Sequence, residues 1–308
     1  MDGLILVHKP QKFTSHDIVV KIRDILSYKK IGHFGTLDPL ATGLMVVALG
    51  KATRLFPFFS KLNKTYEGKI RLGISTDTYD SLGEPVSSEK KEFPDKDTLL
   101  EAMKKFEGEI DQIAPPFSAK KYKGKPLYVL AREKKDLKYK SSKVFIQYFL
   151  MKKYNPPSLD FGVKCSSGTY IRSLAHDLGQ SLGCGAHLSA LKRTEVGNFN
   201  IKESFSTQKI KKLTEEGKIE SFLIPMELLL PEFPKVILDE TGTVLARNGN
   251  MIFPDNVIKI LEQEPLASDL FNEEEKIFRV FSLEGKLMAL ARKVPEKNGL
   301  HPFLVFNP

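Results

Sequence analysis

Hydrophobic spacing along the chain changes period repeatedly, and each change marks an element. Leu4 to Val7 is a short apolar run closed by Pro10, which predicts a buried strand. In TSHDIVVKIRDILS, Ile18, Val19, Ile22, Ile25 and Leu26 recur at helical spacing behind Thr14 and Ser15, either of which can cap the first turn. The turn-rich segment KKIGHFGTLDPLATG then leads into an apolar strand from Leu44 to Leu49. KTYEGKIRLGI alternates, with Tyr66, Ile70, Leu72 and Ile74 on one face, and predicts a half-buried strand.

Ser75 to Asp95 is more polar, and DTLLEAMKKFEG after it places Leu99, Leu100, Met103 and Phe106 at helical spacing. KVFIQYFLMKKY and LDFGVKCSS predict paired strands, followed by a helix in TYIRSLAHDLGQSLG that Gly183 can stop. Strands and helices mix without a regular βαβ alternation, so the expected class is α+β with a mixed, mainly antiparallel sheet. LLLPEFPKV carries two prolines in four positions, and Pro231 to Pro234 is the expected domain boundary. That division gives residues 1–230 as one domain and residues 235–308 as a small β-rich module. Strands are expected in the module near Val257 to Ile260, Ile277 to Ser282, Lys286 to Ala291 and Phe303 to Phe306.

Charge sharpens this division. The 308 residues carry 47 Lys or Arg against 38 Asp or Glu, a net charge of +9. From Pro231 onward, 9 basic residues face 12 acidic ones, so the excess of +12 lies ahead of the boundary, where a polyanion would bind. Hydrophobic residues make up 41% of the chain, enough for a sizeable core. Cys165 and Cys184 are the only cysteines, which excludes a disulfide-dense scaffold. No stretch approaches the about 18 apolar residues of a membrane span, and MDGLILVHKP has too short an apolar run for a secretion signal. The expected location is cytoplasmic.

Several familiar signals fail on spacing. GKAT lacks the first glycine of a phosphate-binding loop, since Met45 stands there, and Ala52 replaces the hydroxyl residue after the lysine. Cys165, His176, Cys184 and His187 lack the paired cysteine spacing of a zinc site, so no metal is expected. The segment Gly32 to Leu44 stands out for one carboxylate, Asp38, among glycines, a proline and small residues that let a ligand approach backbone. On residue type alone, Asp38 and His33 are equally explicable as turn formers.

GHFGTLDPLATGL resembles the catalytic motif of the TruB family of tRNA pseudouridine synthases. KPQKFTS is similar to the family's N-terminal motif, KTYEGKIRLG to its tyrosine-bearing strand, and SGTYIRSLAHDLG to its arginine motif. GCGAHLSALKRTEVGNF resembles its leucine-containing segment, and APPFSAKKYKGKPLYVLAR an intervening block. These motifs fall in family order from about residue 3 to residue 199. The N-terminal motif usually reads D-K-P-x-G. His8 and Lys12 occupy its acid and glycine positions here, while Lys9 and Pro10 remain. The C-terminal module is similar to a PUA-like RNA-binding domain.

The resemblance implies a catalyst that isomerises uridine 55 in the tRNA T-loop after flipping the base out, with no cofactor and no guide RNA. The expected partner is the tRNA T-arm, bound by a monomer. Asp38 becomes the essential carboxylate, attacking the sugar or the uracil ring or assisting elimination through a glycal. Arg172 is expected to pair with Asp38 through its planar fork. Tyr66 would stack on the uracil, Leu191 would line its pocket, and His33 would stack within the opened loop. Lys9, Lys64 and the run Lys120 to Lys125 are candidate phosphate contacts. Two rivals stay open: an RNA-folding protein without turnover, and a guide-dependent enzyme of the same superfamily.

Overall fold

The computed structural model describes residues 1–118 and 141–261 and 276–306, with the backbone of 121–122 and 125–126. Two compact units result, Ile5–Phe222 and a second made of Met1–Leu4 with Leu223–Pro308.

The first unit is built on a sheet whose strands are β1 (Gly3–Lys9), β2 (Ile31–His33), β3 (Thr42–Leu49), β4 (Lys64–Leu72), β5 (Gly108–Gln112), β6 (Ser142–Asn155), β7 (Ser158–Cys165) and β8 (Ala186–Val196). From β1 the order is β1-β3-β8-β4-β7-β6-β5, with β2 paired to β3. The β8 to β3 pairing is parallel, whereas β8–β4, β4–β7, β7–β6, β6–β5 and β2–β3 are antiparallel. The expected mixed, mainly antiparallel α+β fold is therefore the observed one.

The helices follow the expected spacing. In α1 (Ser15–Leu26), Thr14 is the cap: its side chain accepts from the backbone of Asp17 while the Asp17 carboxylate accepts from Thr14. α2 (Lys96–Lys104) stops short of Phe106, because the chain turns at Gly108 with φ +90° and enters β5. α3 (Ile171–Ser181) buries Ile171, Leu174, Ala175 and Leu178 against Tyr66, Ile70, Leu72, Phe161 and Val163, and Gly183 adopts φ +68° beyond its end.

The central strand β8 had no clear periodic signature. Its pairing with β4 shifts register between Leu188 and Ala190 and again between Arg193 and Glu195, so inward residues do not keep an even spacing. Gly43 permits the parallel junction with β3. A Cβ there would lie 2.3 Å from the Arg193 carbonyl oxygen, at a φ of +108°.

In the second unit, five strands run in the order Val257–Leu261, Lys235–Leu238, Ile277–Phe281, Leu287–Val294, Gly299–Val305. Val236, Leu238, Phe278, Val280, Ala289 and Ala291 form its core with Ala246 of the helix Glu240–Arg247. The units divide between Phe222 and Leu223, ahead of the expected boundary at Pro231 to Pro234. The buried Arg279 accounts for the difference. Its guanidinium donates to the carbonyls of Leu229, Pro231 and Phe233, which fastens the proline segment to the second unit. Among the described residues, no helix is long and apolar enough to cross a membrane.

Candidate active site

The segment between β2 and β3 is held from below by apolar side chains. Leu37, Leu40 and Ala41 are buried in the main core, and Asp38 between them keeps 37% of its side-chain surface exposed. Pro39 follows Asp38, and the Ala41 amide donates to the Asp38 carbonyl at 3.0 Å, closing a turn that suits proline at its second position. The Ser15 hydroxyl accepts from the Leu37 amide at 2.8 Å and donates to its carbonyl at 3.2 Å. The Lys12 amide donates to the Pro39 carbonyl at 2.9 Å. Both backbone neighbours of Asp38 are thus tied to the N-terminal motif. Phe34 adds a further anchor, buried and stacked on Phe59 at 5.2 Å between ring centres.

Arg172 meets Asp38 from the first turn of α3. Its Nη2 donates to Oδ1 at 3.1 Å and its Nε lies 2.9 Å from Oδ2, an ion pair whose second contact is not aligned as a hydrogen bond. The guanidinium is only 6% exposed and also donates to the carbonyls of Thr78 and Phe117, each at 3.1 Å. A second carboxylate, Asp80, lies 3.6 Å from Nη1 and is equally buried. Asp80 is itself fixed, accepting from Thr78 Oγ1 at 2.7 Å and from the Leu82 amide at 3.0 Å. Arg172 is therefore oriented by one buried acid and presents its free edge to another that faces solvent.

Tyr66 and Leu191 belong to the same core cluster as Leu37 and Leu40, on neighbouring strands β4 and β8. Burial pushes the Tyr66 phenol above its ordinary value, with the Arg193 guanidinium acting in the opposite direction, so the hydroxyl keeps its proton at neutral pH. Tyr66 and Leu191 thus pack in the cluster that holds Leu37 and Leu40 on either side of Asp38.

Arg193 was not singled out by the sequence, yet it organises this end of the site. It is fully buried and donates from Nε to the Leu44 carbonyl at 2.7 Å, from Nη2 to Gly35 at 3.1 Å and from Nη1 to Thr36 at 3.4 Å. Three carbonyls of the segment carrying Asp38 are thereby gathered on one cation. His33 is half-buried at the end of β2, and burial, then Arg193, hold its pKa below the ordinary value. Its ring is neutral at neutral pH.

Lys9 and Lys64 depart from the role expected of phosphate contacts. Lys9 is 0% exposed, and its ammonium donates to the Phe13 carbonyl at 2.6 Å and to Pro10 at 3.1 Å. Lys64 is buried and donates to Ser60 at 2.6 Å. Burial brings each down to about 8, in Lys9 against the raising influence of Asp38. Such ammonium groups brace turns from the inside, where a phosphate has no access. The side chains of Lys120 to Lys125 lie outside the described residues.

Residues 23–171 match the sequence model described as TruB family pseudouridylate synthase (N terminal domain), and residues 172–231 match tRNA pseudouridylate synthase B C-terminal domain. The chain is 41% identical over 249 residues to the tRNA pseudouridine synthase B of Solibacter usitatus, an alignment covering 81% of this chain and 85% of that protein. It is 38% identical over 307 residues to the protein of the same name from Dehalococcoides mccartyi, covering 99% and 97%. Among solved structures it resembles a chain of an H/ACA RNP bound to a substrate RNA containing 2'-deoxyuridine, with a TM-score of 0.73 and 24% identity over 99% of this chain and 85% of that one. A chain of a Cbf5-Nop10-Gar1 complex superposes with a TM-score of 0.71 at 25% identity, covering 99% and 85%. The fold and the paired carboxylate and arginine thus sit in a chain that belongs to the TruB family of pseudouridylate synthases, isomerases that act on RNA.

Proposed function

We propose that this chain converts uridine 55 in the T-loop of tRNA to pseudouridine, as a cytoplasmic monomer that needs no guide RNA. The observation that carries the reading is Asp38, still open to solvent, oriented by the buried Arg172 beside Tyr66 and Leu191. The relatives named tRNA pseudouridine synthase B support tRNA as the substrate.

The isomerisation breaks the bond from the sugar anomeric carbon to uracil N1, turns the base, and joins the same carbon to C5. The C5 proton leaves and N1 ends protonated, so no net oxidation occurs. Attack on the sugar, attack on the ring and glycal formation share one requirement, an oriented carboxylate at the reacting end of the nucleotide. Asp38 meets it because both its oxygens face Arg172, which limits rotation of the carboxyl group. Once detached, the uracil must be kept from water and from diffusing away. The Tyr66 ring offers a stacking face and Leu191 an apolar wall, while the neutral His33 ring can replace a stacking partner in the opened loop. The module 235–308 is read as PUA-like, in keeping with its small five-stranded sheet.

Tyr66→Phe should stay within about tenfold of the parent rate, and Tyr66→Leu should lose about 10 to 100-fold, the scale of one base-stacking contact. Parent rates for both variants would show that neither ring nor hydroxyl matters. For the target itself, an unmodified tRNA transcript should gain one pseudouridine, and the same transcript carrying cytidine 55 should gain none. Equal product from both transcripts would refute the assignment of uridine 55.

A further inference from the structure

Lys12 is a residue whose side chain the reaction as described leaves without a role. It sits at φ +71°, a left-handed conformation that glycine, asparagine and aspartate adopt readily and long side chains rarely do. That conformation is set by the site, because the Lys12 amide must turn to reach the Pro39 carbonyl at 2.9 Å, one residue beyond Asp38. A glycine would hold the same bond without steric cost. The lysine side chain gains nothing in return from the fold. It is exposed and makes no hydrogen bond or ion pair with the described residues.

Its surroundings suit an anionic strand. Gln11, the preceding residue, lines an open groove of about 320 Å³ with Leu40, Thr42, Leu191 and three lysines against the two carboxylates Glu67 and Asp160, so the N-terminal motif shares that groove with the chain just after Asp38 and with the proposed uracil wall. A polynucleotide that delivers its base to Asp38 must run its backbone past this rim. With Lys9 turned inward and bonded to carbonyls, Lys12 is the cation of the motif that remains available to solvent. Residues held at sparsely populated φ by their surroundings cluster at functional sites.

We propose that Lys12 is a phosphate contact for the RNA strand entering the Asp38 site, an inference that rests on the RNA-modifying reading above. The test measures binding of an unmodified tRNA transcript across a salt series, in an Asp38→Asn background where substrate is not consumed. Lys12→Gly should raise Kd about three- to fivefold at moderate salt and reduce the slope of log Kd against log salt by about one contact's worth. Lys12→Arg should keep Kd within about twofold and the slope unchanged, because it carries the same charge. Lys12→Gly should also melt at or above its background protein, since glycine relieves the backbone. Unchanged Kd and slope in Lys12→Gly, or an equal loss in Lys12→Arg, would overturn the contact. A Tm several degrees lower in Lys12→Gly would overturn the strain that motivates it. Failure of the parent protein to modify any tRNA is a separate outcome, which removes the underlying reading rather than this residue's part in it.

Discussion

Asp38→Asn is expected to lower the single-turnover rate of pseudouridine formation by about 10⁴-fold or more, while tRNA affinity stays within about threefold. The substitution preserves size, and the turn around residue 38 is held by groups it does not touch. The Ala41 amide reaches the backbone carbonyl, Ser15 holds Leu37, Lys12 holds Pro39, and Leu37 and Leu40 remain in the core. What disappears is the charge and one acceptor. An amide cannot attack the sugar or the ring, nor assist elimination as a carboxylate does, and its NH₂ group would face a cationic N–H of Arg172. Release of a hydrogen label from uracil C5 follows the rate. Turnover within tenfold of the parent would show that the carboxylate is not the essential group.

Arg172→Lys is the second large effect, an expected loss of about 100-fold in the same rate with a Tm lower by a few degrees. The guanidinium contacts both oxygens of Asp38, the carbonyls of Thr78 and Phe117, and Asp80 on its far edge. A single ammonium at the end of a flexible stem cannot serve five partners in a plane. The carboxyl group of Asp38 gains rotational freedom, which costs rate, and the buried Asp80 loses part of its compensation, which costs stability. Single-turnover kinetics and thermal melting separate the two losses. Near-parent turnover in Arg172→Lys would mean that the planar fork is dispensable.

How far this site can be read from sequence follows from what each residue's neighbours are. Asp38 and Arg172 sit in short, distinctive segments, and the structure brings them to 2.9 Å although 134 residues separate them. Elements with clean periods were also legible, among them α1, whose cap the sequence leaves between Thr14 and Ser15, and the alternating β4. Strand β8 was not, since two register shifts erase its alternation, and with it went Arg193. Nothing in LKRTEV distinguishes a buried cation serving three carbonyls from its solvated neighbour Lys192. Asp80 was hidden for a related reason. It lies in a polar turn that reads as surface, and its burial goes with the pairing to Arg172 and the bonds from Thr78 and Leu82. Lys9 and Lys64 show the converse error, since a lysine in a basic chain suggests an exposed charge until the fold turns it onto backbone carbonyls.

The central claim is tested most directly by incubating purified parent protein and Asp38→Asn with unmodified tRNA transcript, without guide RNA or cofactor, and mapping pseudouridine by chemical probing. Product is expected at uridine 55 with the parent and none with Asp38→Asn. Transcript that binds the parent yet acquires no pseudouridine, or product that forms equally with both proteins, would contradict it.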